Sequence, residues 1–199
     1  MKFGTDGIRG RAGPAPIDPE SAVRIGRAAA RLARENGSPV VVVARDTRPS
    51  GGMLAAAVCA GVMGEGGVAV DAGVVPTPAL AVALHDGLGA AGVMITASHN
   101  PWVDNGFKIL SEGGRKLTDD ETARVEGWLA EDGHNGGVGY TEDAHQAVLE
   151  AWLARLADID TSGLAGRRLA VDLAEGAGGV AADWLAQQPF EVVLVQGDR

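Results

Sequence analysis

One cysteine, Cys59, stands alone in the 199 residues, so no disulfide can close within the chain. Its setting, "AAAVCAGVM", reads as a buried helix rather than a reactive thiol, and a reducing cytoplasm fits it. Positive charge is also short: 17 Lys and Arg against 26 Asp and Glu leave a net charge of −9. That balance argues against nucleic acid as a partner, because polyanion binding needs clustered cations, whereas a small phosphorylated ligand needs only a few. No apolar run approaches the roughly 18 residues of a membrane span, and the opening "MKFGTDGIRG" has no apolar signal core. The expectation is a soluble cytoplasmic protein. The G-x-S-x-G elbow of α/β hydrolases is missing as well, which counts against serine hydrolysis.

What is present is a repeated grammar of helix and apolar strand. "DPESAVRIGRAAARLARENG" carries an N-cap at Asp18, Pro19 in the first turn, and Ala22, Ile25, Ala29 and Leu32 at helical spacing. "VVVVA" follows without polar alternation, as in a strand covered on both faces. "SGGMLAAAVCAGVMGEGG" predicts a helix, "VAVDAGVV" a strand, "TPALAVALHDGLG" a helix capped by Thr77, and "AAGVMITA" a strand. Thr118 and Glu121 predict a capping box at the head of another helix. The fold class expected is α/β, a mostly parallel sheet sandwiched by helices. Residues 132–140, "DGHNGGVGY", read as a linker and "EDAHQAVLEAWLARLAD" as a bridging helix. "RRLAVDL", "VAADWLAQQ" and "FEVVLV" then make one βαβ unit of about 40 residues, below the typical domain minimum. The expected division is 1–140 for a first domain and 141–199 for the bridging helix and an incomplete second α/β domain, with "FEVVLV" as an open edge.

Three loops carry candidate chemistry. In open α/β sheets ligands bind beyond the carboxyl ends of strands, and Ser98 follows "AAGVMITA" there, ahead of His99, Asn100 and Pro101. Such residues also shape plain turns, and by pattern alone the turn reading prevails. Lys108, in "DNGFK", returns a cation toward Ser98 if the chain doubles back as a hairpin. "FGTDGIRG" sets Thr5, Asp6 and Arg9 between glycines, a composition suited to a tight phosphate-binding loop. "ARDTRPSGG" brings Arg45, Asp46 and Arg48 to the same sheet edge, where an internal Arg–Asp pair is favoured over ligand contact.

"FGTDGIRG", "RDTRPSGG", "VPTPAL" and "TASHNPWVDNGFK", in this order and spacing, resemble the first domain of the α-D-phosphohexomutases. The opening "KFGTDGIRG" is most similar to the bacterial phosphoglucosamine mutase branch, and "VDLAEGAGG" resembles the start of the second domain. The resemblance implies that Ser98 is the phosphoserine, giving its phosphoryl group to a sugar phosphate and taking one back from the bisphosphate. It implies Lys108 in acid–base work, Arg9 near the phosphoryl group, His99 orienting the nucleophile, and Thr5 and Asn100 binding phosphate. It further implies Mg²⁺ held by the phosphorylated Ser98 together with a three-aspartate loop that lies outside this sequence. Asp198, in the closing "QGDR", reads as a surface residue and not as that loop. Hexosamine or hexose phosphates and a sugar bisphosphate activator are the implied partners. Thr96 stands where the glucosamine branch often carries serine, which leaves the mannose and glucose branches open. The isolated chain is expected to be inactive, and a non-catalytic phosphosugar-binding module is the competing reading.

Overall fold

The computed structural model describes residues 1–4, 7–131, 133 and 136–195. Six strands form one sheet: β1 (Ile8–Arg11), β2 (Val40–Arg45), β3 (Val68–Val74), β4 (Ala91–Ile95), β5 (Asp104–Ser111) and β6 (Tyr140–Asp143), in the order β1-β5-β4-β2-β3-β6. β2 runs parallel to β3 and β4, and β3 parallel to β6, while β5 is antiparallel to both β4 and β1. The α/β class therefore holds, with an antiparallel flank. Two of the expectations change here. "IRGR" is a strand, so "FGTDGIRG" is not only a loop, because this part finds a partner in β5. "YTED" is an edge strand on β3 at the end of what reads as linker.

Helices cover both faces. On one lie α1 (Pro19–Glu35), α2 (Gly51–Gly64) and α4 (Asp119–Ala130), packed on Val41, Val43, Val93, Ile95 and Phe107. On the other lie α3 (Thr77–His85) and α5 (His145–Ala157), whose Leu80, Leu84, Val148 and Trp152 meet Val42, Val70 and Met94. Alternate residues of one strand thus feed two cores, which explains why β4 and all of β2 before its terminal Arg45 are apolar.

Side-chain caps fix the starts of α1 and α4. Asp18 accepts the Ser21 N–H at 2.7 Å, and Thr118 with Glu121 closes the capping box. Thr77 is the first residue of α3, not its cap, and Pro76 precedes it in extended conformation. α1 and α2 touch through glycine: a Cβ on Gly26 would stand 2.0 Å from the Val58 carbonyl oxygen, and one on Gly61 would stand 2.1 Å from that of Val23. Cys59 lies buried on α2, and that burial, with the Asp71 charge second, pushes its thiol up to about 11.

Residues beyond α5 form a smaller parallel pair, β7 (Arg168–Asp172) and β8 (Glu191–Val195), joined through α6 (Ala182–Ala186). Among the described residues no helix is long and apolar enough to cross a membrane.

Candidate active site

The carboxyl end of β4 runs directly into the serine loop. Thr96 still belongs to the ladder, its N–H donating to the Gly106 carbonyl at 3.0 Å. Its hydroxyl donates to Asp46 Oδ2 at 2.6 Å and accepts the Ser98 N–H at 2.9 Å. Ser98 itself sits at φ 57°, in the left-handed region that a residue with a Cβ rarely occupies. The turn lifts its side chain into solvent beside His99, and Ser98 Oγ lies 3.4 Å from His99 Nδ1, too long for a strong hydrogen bond. Asn100 donates from Nδ2 to Asp104 Oδ2 at 3.0 Å, bracing the return into β5.

A second loop, residues 46–50 between β2 and α2, holds the first. Asp46 accepts from the Arg48 Nε at 3.0 Å and from the Arg48 backbone N–H at 3.1 Å, the internal pair favoured from the sequence. The rest of the Arg48 guanidinium reaches the serine loop, where it meets backbone carbonyls. A third segment, residues 174–176 after β7, approaches from the other side, with Thr47 Oγ1 donating to the Glu175 carbonyl at 2.7 Å. Ser98, His99, Trp102, Arg48 and Glu175 line the hollow of about 550 Å³ between these segments. Ala174 (φ 47°) and Glu175 (φ 51°) are, with Ser98, the left-handed non-glycine residues of the described chain. All three line this one hollow. Such conformations tend to gather where a ligand is gripped.

The expected cations stand farther back. Arg9 pairs with Gly106 across β1 and β5, and its Cγ would lie 3.1 Å from a Cβ on Gly106. That missing side chain leaves the arginine stem room to cross toward Thr96, whose carbonyl oxygen would be 2.8 Å from the same Cβ. Lys108 pairs with Met94, four residues before Ser98, so the doubling back is real but sets the lysine down the strand. By strand alternation Lys108 and Arg9 share the sheet face opposite Ile8 and Phe107. Lys108 lines a separate hollow with Phe3, Gly7, Lys116 and Thr122. The structure therefore groups Ser98, His99 and Asn100 around one hollow, while Lys108 lines another. Thr5 and Asp198 lie outside the described residues. Trp102, 71 % exposed at the mouth of the site, and the 174–176 turn are site residues that the sequence pattern does not single out. Exposed aromatics carry no periodic signal, although "VDLAEGAGG" marked the turn as a family motif.

Residues 1–135 match the family model described as phosphoglucomutase/phosphomannomutase, alpha/beta/alpha domain I. The chain belongs to the phosphoglucomutase/phosphomannomutase family. Within the family, it is 51% identical over 132 residues to a phosphoglucosamine mutase of Desulforapulum autotrophicum, covering 66% of this chain and 28% of that protein. It is 43% identical over 198 residues to a phosphoglucosamine mutase of Corynebacterium efficiens, covering 95% of this chain and 43% of that protein. A crystal structure of a phosphoglucomutase/phosphomannomutase family protein from Burkholderia thailandensis superposes with a TM-score of 0.81 at 30% identity, over 98% of this chain and 44% of that one. The chain thus spans less than half the length of these family members.

Proposed function

We propose that this chain supplies the phosphoserine wall of a phosphohexomutase that interconverts glucosamine 6-phosphate and glucosamine 1-phosphate in the cytoplasm. The observation that carries the reading is Ser98, exposed in a left-handed turn at the carboxyl end of a buried strand and held there by Thr96 and by the 46–50 loop. The names of the relatives support the glucosamine branch.

In this reading phospho-Ser98 gives its phosphoryl group to a hydroxyl of the bound sugar phosphate. The Oγ–P bond breaks as a P–O bond to the sugar forms; the sugar hydroxyl proton passes to a base, and Ser98 Oγ takes up a proton to leave as the free hydroxyl. The bisphosphate then turns over and returns its other phosphoryl group to Ser98, leaving the positional isomer. Such transfer depends on positioning and on neutralising charge around the phosphoryl oxygens. His99 orients Ser98, Asn100 fixes the loop, and Arg9 offers a guanidinium behind Gly106. Lys108 serves acid–base work, reached from its own hollow along the shared sheet face. Thr5 is assigned to phosphate binding by the motif alone.

Mg²⁺, which the family resemblance implies, does not fit the described residues by themselves. They hold no cluster of three His, Cys, Asp or Glu able to take a metal ion. Asp46 is engaged by Arg48 and Thr96, and Asp104 by Asn100. A sugar bisphosphate activator belongs to the same reading, since a serine without phosphate needs a donor to enter the cycle. In this reading the bridging helix α5 belongs with the first domain, supported by Val148 and Trp152 in its second core, which Ala181 from beyond α5 also joins.

The test is Ser98→Ala in the mutase that carries this segment, assayed for glucosamine phosphate isomerisation. Loss of turnover with retained fold is expected; turnover near the unsubstituted rate overturns the reading. The competing non-catalytic module predicts that hexose phosphates bind in calorimetry while no isomer forms even in the complete protein.

A further inference from the structure

Arg48 carries five N–H donors, and every one is used. Nε donates to Asp46 Oδ2 at 3.0 Å. Nη1 donates to the carbonyl oxygens of Pro101 at 2.6 Å and Asp104 at 3.0 Å. Nη2 donates to those of Ser98 and Asn100, each at 2.9 Å. The guanidinium is thus a hub for four carbonyls between residues 98 and 104, and its side chain is only 9% exposed. A saturated guanidinium has no donor left for phosphate. Its energy goes into the loop.

The partners explain why an arginine is needed. Four convergent carbonyl oxygens place their negative ends around one point, and only a cation with a planar fork can answer all of them. Asp46 sets the plane of that fork, and the same carboxylate oxygen takes the Thr96 hydroxyl, which in turn accepts the Ser98 N–H. Both sides of the Ser98 peptide are therefore held through Asp46 and Arg48: its N–H by way of Thr96, its carbonyl directly by Nη2. Ser98 is at φ 57°, a conformation that costs free energy for a residue with a Cβ and persists only when its surroundings impose it.

We propose that Arg48 is a positioning residue that imposes the left-handed turn at Ser98, and so fixes where Ser98 Oγ meets a phosphoryl group, without touching that group itself. The inference rests on the phosphoserine reading for its consequence in catalysis, while the clamp itself rests on the contacts alone.

The test has two arms, with Arg48→Ala and Arg48→Lys. In the 199-residue chain, the amide resonances and hydrogen exchange of Ser98 and Asn100 report the loop, and both variants are expected to shift the former and speed the latter. Lysine is not expected to rescue, having three donors on a compact head. In the mutase that carries this segment, both variants are expected to lower kcat by roughly tenfold to a hundredfold with KM for the sugar phosphate little changed, as for a misplaced reacting atom. Ile25→Val, which loosens the core at α1, serves as the control for lost stability and is expected to leave kcat alone. Unchanged loop amides in Arg48→Ala overturn the clamp. A disturbed loop with unchanged kcat, or full rescue by lysine, overturns the positioning role. If the unsubstituted mutase shows no isomerisation, the phosphoserine reading fails while the amide arm still decides the clamp.

Discussion

Two runs of branched apolar residues meet different fates in this molecule. Val41, Val42 and Val43 of β2 have no exposed surface at all, whereas Val193, Leu194 and Val195 of β8 are 36%, 40% and 42% exposed. The sequences are alike; the neighbours are not. β2 lies between β4 and β3 with helices on both faces, while β8 has β7 on one side and only the short α6 nearby. The difference teaches that a buried-strand pattern states what a segment needs, and burial is delivered by the elements around it. It also shows where the site obtains its rigidity. The serine loop grows from the covered sheet, and the 174–176 turn that faces it grows from the uncovered one.

Hydrogen exchange sharpens this contrast most. Amides of β2 and β4 are expected to exchange about a thousandfold more slowly than those of β7 and β8, since the first open only with the whole core and the second open locally. Equal protection in both sheets breaks the comparison. A smaller effect comes from paired glycine substitutions. Gly61→Ala drives a Cβ into the Val23 carbonyl and is expected to destabilise by about 2–3 kcal/mol. Gly163→Ala, with nothing within 4 Å, is expected to change stability by less than about 0.5 kcal/mol. Thermal melts of the two variants check this, and equal shifts contradict it.

Glu121 offers a third handle on the covered unit. Hydrogen bonds from Arg115 at 2.7 and 2.8 Å, with further ones from the Thr118 N–H and Ser111 Oγ, pull its carboxyl down to about 2. A lowered folded-state value stabilises the protein fully above the ordinary 4.5 and loses that contribution as pH falls toward 2. Glu121→Gln is expected to cost about 2 kcal/mol near neutral pH, the Arg115 share being reduced because that side chain is half exposed. The gap between variant and parent should close between pH 4.5 and 2 in denaturant titrations; a constant gap contradicts the assignment. The smallest effect concerns Cys59. Its buried, raised thiol is expected to resist iodoacetamide at pH 8 until the core opens, and prompt labelling would place it at the surface.

Much of the covered unit is legible in the sequence because its signals are local. Asp18, Thr118 and Glu121 announce helix starts, and the valine run of β2 announces a strand. β1 and β6 are less legible: "IRGR" and "YTED" have neither apolar pattern nor length, and become strands only by pairing with β5 and β3. The site divides in the same way. Ser98 is found from its place after a strand and from its motif. The clamp is not, because the partners of Arg48 are backbone carbonyls, which leave no trace in the identity of residues 98–104. The return that carries Lys108 is legible too, and the register of β5 on β4 adds that the lysine stands opposite Met94.

The phosphoryl state of Ser98 in the mutase that carries this segment tests the central claim most directly, read by site-resolved mass spectrometry after incubation with a hexosamine bisphosphate. The account predicts one phosphoryl group, located on Ser98 and lost when glucosamine phosphate is added in excess. Isomerisation that proceeds while Ser98 stays unmodified would contradict it.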